Sequence, residues 1–287
     1  MAGTGGANKP AQPHHRPHVA TAEGANIKQI VIVGVIVAVF GGGGLWYLNR
    51  KGEDNKLNTL FKSQDVRHIN TSNGQMGDVT LGDGSALSIA PATKLTIIPD
   101  YNKAYRGIQV EGGLKIDVKP SPNTPLELRV GGAALVLNEG SVIARAYPDE
   151  NDGYIRVVSG SGEVRAKDVH RPVTGPVTVR VAKDSTIADA DQATADAALA
   201  FADKKVVLNN VPLKDVLPLL LKYYGLNPDV PDKALLDRPV TMEGTLGGSN
   251  KEAIAALEKA ASVKFTYEGT NPKPILKDNP AAGGKKK

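Results

Sequence analysis

The chain has 287 residues and no cysteine, which excludes disulfide frameworks, Cys-ligated zinc, iron–sulfur clusters and thiol nucleophiles. Its 35 Lys and Arg stand against 30 Asp and Glu, and a scattered net charge of +5 does not call for a nucleic-acid partner. Aromatic residues make up only 5% against 41% hydrophobic, so any core is aliphatic, and 31 glycines favour short strands and tight turns.

Residues 1–26 are Gly, Pro, Ala and His with almost no aliphatic side chains. Such a segment buries too little surface to offset its ordering entropy and is expected to be a disordered tail. His14, His15 and His18 lie beside Pro13 and Pro17 in that tail and read as tail residues rather than metal ligands. The run 27–48, IKQIVIVGVIVAVFGGGGLWYL, would rise about 33 Å as a helix, close to the ~30 Å of bilayer hydrocarbon. Lys28 stands at one mouth and Arg50 with Lys51 at the other, with Trp46 and Tyr47 at interfacial depth. No Ala-x-Ala cleavage pattern follows, which argues against a signal peptide. The β-branched richness of Ile30 to Val39 also fits a buried strand, and Gly41 to Gly44 lower helicity by about 1 kcal/mol each. A single-pass anchor is the expectation.

Residues 49–64 are polar and charged and read as a linker. From 65 to 190 the texture is one of short period-2 runs parted by Gly, Pro, Asn or Asp about every ten residues, the pattern of an all-β domain. Val79 to Leu81 and Leu87 to Ile89 flank Gly82-Asp83-Gly84-Ser85, a hairpin in which Asp83 and Gly84 are expected to form a primed turn with positive φ. Further runs are Leu95 to Ile97, Ile108 to Val110, Leu114 to Val118, Leu126 to Val130, Ala133 to Leu137, Val142 to Ala144, Ile155 to Val157, Gly162 to Ala166 and Val177 to Val181. Sandwich, roll and barrel all remain open.

Residues 184–202 form an Ala/Asp-rich connector with helical character in its second half. Beyond it, 200–268 reads as a small α+β domain of β-α-β-β-α-β pattern. Lys205 to Leu208 is a strand. Leu213, Val216, Leu217, Leu220 and Tyr224 recur at helical spacing up to a stop at Gly225, although Pro218 conflicts with a regular helix. Leu226 to Val230 and Pro239 to Glu243 are strand-like, and Ser249 to Glu252 is a capping box opening a helix through Ile254, Leu257 and Ala261. Val263 to Tyr267 ends the unit, and 269–287 is expected to be disordered. One sheet with helices on one face would leave Thr241, Glu243, Lys264 and Thr266 exposed as partner-docking candidates.

Residues that could carry chemistry are sparse. His68 and His170 lack a nucleophile beside them and read as surface residues. Asp149, Glu150 and Asp152 lack the glycine and distant glutamate of a calcium loop and read as a solvated loop. Gly160-Ser-Gly162 opens no helix and is no phosphate cradle. No catalytic, metal or cofactor residue is assigned.

The motifs do resemble a known family. Val79-Thr-Leu-Gly-Asp-Gly-Ser85, then Arg106 with Val110-Glu-Gly-Gly113 and Ile116-Asp-Val118, then Val157 to Val164, are similar in kind and order to the signature blocks of FecR-like proteins. The stretch Phe201 to Gly225, with Val211-Pro-Leu213 and Lys222-Tyr-Tyr224, resembles the opening helix of a secretin/TonB short N-terminal (STN) domain. Together these cover about residues 65 to 268. The resemblance implies an inner-membrane regulator of a sigma factor, its C-terminal domains in the periplasm. Its implied partners are a sigma factor and the signalling domain of a TonB-dependent outer-membrane receptor. Lys and Arg counts around the span slightly favour the opposite orientation, and the resemblance is followed here. The folded cytoplasmic domain usual in the family is expected to be absent or replaced by residues 1–26. The alternative expectation is a membrane-tethered envelope scaffold that touches no sigma factor.

Overall fold

The computed structural model describes residues 56–121, 124–247, 249–267 and 273–279. The run 27–48 and its flanking residues Lys28, Trp46, Tyr47, Arg50 and Lys51 lie outside them. No helix among the described residues is long and apolar enough to cross a membrane.

Thirteen strands wrap one aliphatic core. They are β1 (Arg67–Asn70), β2 (Gly77–Thr80), β3 (Ala86–Ile89), β4 (Lys94–Ile97), β5 (Arg106–Val118), β6 (Leu126–Val130), β7 (Ala133–Leu137), β8 (Gly140–Ala146), β9 (Asp152–Ser159), β10 (Ser161–Ala166), β11 (Val169–Thr174), β12 (Val177–Ala182) and β13 (Ile187–Asp189). The two runs Ile108 to Val110 and Leu114 to Val118 are one continuous strand, β5. Its even-numbered residues Ile108, Val110, Leu114, Ile116 and Val118 all enter the core, as a period of two requires. The first half of β5 pairs with β4 and, in parallel, with β6, while its second half pairs with β3 and β8. The path β11-β10-β7-β6-β5-β8-β9-β12-β13 therefore changes neighbours within a single strand.

That change happens at Gly112-Gly113. Gly112 has φ +136, and a Cβ there would stand 2.3 Å from the Thr93 hydroxyl. Thr93 in turn accepts the Gly113 N–H at 2.9 Å, so the β3–β4 corner follows the bend of β5. The expected primed turn differs in kind. Gly84 takes φ +80, but Asp83 is not among the residues with positive φ. The Gly84 N–H donates to Leu81 O at 3.0 Å and Leu81 N–H to Ser85 O at 2.9 Å, a one-residue-wider turn closed by a left-handed glycine. Asp83 is thereby freed from positive φ, and its side chain turns inward.

The C-terminal part begins with α1 (Gln192–Leu199), capped by Asp191, and continues through β14 (Lys205–Pro212), α2 (Leu213–Tyr224), β15 (Pro239–Thr245), α3 (Asn250–Ala261), β16 (Val263–Thr266) and β17 (Ile275–Asp278). Four expectations change here. The strands make two separate ribbons, β14–β15 and β16–β17, instead of one sheet. Leu226 to Val230 contributes a single bridge, Asp229 with Ile275, because Pro228 and Pro231 flank it. Residues 275–278, expected to be disordered, form β17, since Leu276 finds a buried place opposite Phe265. Ser249 stands at the N-cap of α3, but its hydroxyl makes no capping bond. Pro218 is accommodated inside α2 on its exposed face.

Leu213, Leu220 and Leu257 are buried as the helical period requires, with Leu217 and Ile254 partly so. Their core also takes in Ala90 and Tyr154 from the β-domain, and the described residues belong to one unit. The linker is not free throughout either. Residues 56–61 are helical, with Leu57 buried.

Glycine substitutions separate the bend from the turn. Gly84→Val meets only the flexible Lys119 side chain, 3.7 Å away at ordinary van der Waals distance, so the backbone conformation is what is penalised, about 1–2 kcal/mol. Gly112→Ala adds a collision with Thr93 to a comparable strain and should cost more, roughly 2–5 kcal/mol. Urea unfolding midpoints in that order support this geometry; equal midpoints count against the bend.

Candidate functional site

Arg106, the first residue of β5, is fully buried. Its Nη1 donates to Asp83 Oδ2 and to Lys119 O, both at 2.9 Å, its Nη2 to Asn138 O at 2.9 Å, and its Nε to Thr124 O at 2.5 Å. Lys119 follows the end of β5, Thr124 precedes β6 and Asn138 follows β7. One planar fork thus gathers four chain segments, as only a guanidinium with five donors can.

Asp83 is supported in turn by the Ser85 N–H at 2.9 Å, the Ser85 hydroxyl at 2.9 Å and the Tyr101 hydroxyl at 3.1 Å. Burial works to raise its carboxyl, but the Ser85 amide, Arg106 and the two hydroxyls outweigh it and hold the group below its ordinary value. Tyr101 is pushed up, first by burial and then by the charge of Asp83.

A second charged cluster joins the β-domain to α2. Arg145 on β8 and Lys222 on α2 are both buried, at 5% and 6% exposure. Glu150 receives Arg145 Nε at 2.9 Å and Nη2 at 2.6 Å, and also Lys222 Nζ at 2.8 Å. Asp149 accepts a further bond from Lys222 at 3.2 Å. The Tyr147 ring lies under both cations, 3.7 Å from Lys222 Nζ and 4.7 Å from the Arg145 guanidinium carbon. Its hydroxyl donates to Pro91 O at 2.7 Å, and burial pushes its phenol up to about 12. The loop read as solvated is therefore a clasp. Its acidic residues gave a signal, but their partner 72 residues on did not.

Residues 67–165 match the family model described as FecR protein. The FecR-like segment runs from β1 into β10 and contains Asp83, Ser85 and Arg106 of the buried hub. Two crystal structures of a candidate anti-sigma factor from Parabacteroides distasonis share the fold. Each has a TM-score of 0.59 at 18% identity, covering 74% and 75% of this chain and 99% of that one. That coverage reaches beyond the FecR-like strands. No curated protein matches the sequence.

The docking candidates are not brought together on one sheet. Thr241 and Glu243 lie exposed on β15, and Thr241 accepts the Asn210 N–H at 2.9 Å. Lys264 and Thr266 lie on β16, bonded to Glu258 at 3.2 Å and to Ile275 O at 3.3 Å. A cleft of about 260 Å³ opens beside the clasp, lined by Glu111, Tyr147, Glu150, Asp152 and Lys183 among others. Among the described residues, no group of three His, Asp or Glu could hold a metal ion. The arrangement is built for holding segments against one another.

Two expectations follow. Asp83→Asn removes the charge that Arg106 needs and should destabilise by about 3–5 kcal/mol at neutral pH. Because the carboxyl is lowered in the fold, its contribution is complete above the unfolded value near 3.8 and fades as pH falls through the lower folded value. Denaturant midpoints of the wild type should fall in that acid range, and those of Asp83→Asn should lack this component. At the clasp, Glu150→Gln strands two buried cations and should cost roughly 3–5 kcal/mol. Lys222→Met leaves the Arg145–Glu150 pair intact and should cost less, about 1–3 kcal/mol. The reverse order would deny Glu150 its shared role.

Proposed function

We propose that this chain is a sigma-factor regulator of the FecR type that works by protein docking. The observation that carries the reading is the FecR match across 67–165, with its motif residues Asp83, Ser85 and Arg106 assembled as one buried hub. The shared fold with a candidate anti-sigma factor supports the same direction. No covalent step is involved: the exposed strands and loops recognise a partner, and the buried charges hold the recognising parts in place.

In this reading 27–48 spans the bacterial inner membrane once, with residues 56–279 in the periplasm. The partners are a sigma factor on one side and the signalling domain of a TonB-dependent receptor on the other. The C-terminal part, read as STN-like, presents Thr241 and Glu243 on one ribbon and Lys264 and Thr266 on another.

Topology and function have separate tests. Alkaline phosphatase fused after Asn279 should be active in cells, and a cytoplasmic reporter at the same point inactive; the opposite pair reverses the orientation. Deleting the gene should change transcription from promoters of a sigma factor encoded beside it. Unchanged transcription there favours the scaffold reading.

A further inference from the structure

We propose that residues 56–61 form a latch anchored by Leu57 and Phe61. Gly107, near the start of β5, provides the notch: a Cβ at that position would lie 3.0 Å from Phe61 Cζ and 3.0 Å from Ile98 Cγ2, so only glycine lets the ring approach. Over the ring lies the Arg129 guanidinium, its carbon 4.1 Å from the centroid. Arg129 also donates from Nη2 to Asn58 Oδ1 at 2.8 Å, which ties down the other end of the same helical turn.

The geometry favours opening as a unit. The anchors are the buried Leu57 and the partly exposed Phe61 ring, while Lys56, Asn58 and Thr59 are exposed. The chain then passes through turns at 62–65 to β1, a four-residue edge strand paired only with β4. Few buried contacts and a short edge strand mark the low end of local stability. The notch, in contrast, does not depend on its occupant. Arg129 keeps a bond from Nε to Glu127 at 2.8 Å when Phe61 leaves, and Glu127 is itself buried on β6. A persistent notch and a weakly held occupant make seating reversible.

In sequence, the latch separates the β-domain from the apolar run 27–48. Seated, it holds the outgoing chain against the sheet; released, it lengthens the tether without disturbing the core. This deepens the regulatory reading above and rests on it for its purpose only.

The test uses the full-length chain in membranes and trypsin under native conditions, because Lys56 and Lys62 flank the anchors. Phe61→Ala removes the ring, and Gly107→Ala evicts it without altering it. Both should accelerate cleavage at Lys56 and Lys62 by at least about tenfold, with Phe61→Leu intermediate, while amides of β5 to β9 keep their exchange protection. Unchanged cleavage in both variants overturns the latch, as does acceleration that appears only together with loss of core protection. Failure of the sigma-factor reading would show in transcription and leave these rates as they are, so the two outcomes are distinguishable.

Discussion

The bend of β5 brings the end of that strand back beside its own beginning, and the Arg106–Asp83 pair is what makes this return possible. After Val118 the chain must come round to run parallel to the first half of the same strand as β6. Parallel neighbours need such a crossover, and here it is made without a helix. The crossover leaves carbonyls of Lys119 and Thr124 pointing inward near the start of β5, and the Arg106 guanidinium receives both. Asp83 supplies the compensating charge from the β2–β3 turn. Remove either partner and the other is buried unpaired, so the β5–β6 crossover and the β2–β3 turn stand or fall together.

How much of this was legible in the sequence depends on whether an interaction is local. The strands from β2 to β10 and β12 were readable because alternation is written within a few residues. Gly225 shows the same: a stop acts on its own helix. The role of Asp83 was misjudged because Asp-Gly is the ordinary sign of a primed turn, and nothing nearby shows that the carboxylate has a buried partner 23 residues away. Lys222 was hidden for the opposite reason. It sits beside two tyrosines on an amphipathic helix, where a lysine ordinarily reaches for solvent along its stem.

The missed elements share a physical cause. β1, β11, β13 and β17 are short or edge strands whose residues are largely exposed, so they carry little hydrophobic alternation. Their pairing is decided by the neighbouring strand's open edge. The helical turn at 56–61 lies in a polar stretch and is held by Leu57 and Phe61; the notch for Phe61 is a missing side chain at Gly107, 46 residues on in the sequence. Glycines that matter for close approach look no different from those that only turn the chain.

A core of Val, Leu and Ile packs well in many arrangements, since dispersion and apolar burial have no preferred direction. Something else must choose among them in a chain with only four phenylalanines and one tryptophan. Arginine does so at each junction. Arg106 holds the β5–β6 crossover, Arg129 covers Phe61, Arg145 binds Glu150 and the carbonyl of Ala198, and Arg238 takes the carbonyls of Ala261 and Ser262 at the end of α3 together with Asp278 of β17. Each meets groups from segments distant in sequence, and each would be left with unmet donors if those segments were displaced. Such contacts add little net stability over apolar packing, but they penalise every wrong arrangement. In the proposed docking role, these arginines would serve by fixing the relative placement of the parts that meet a partner.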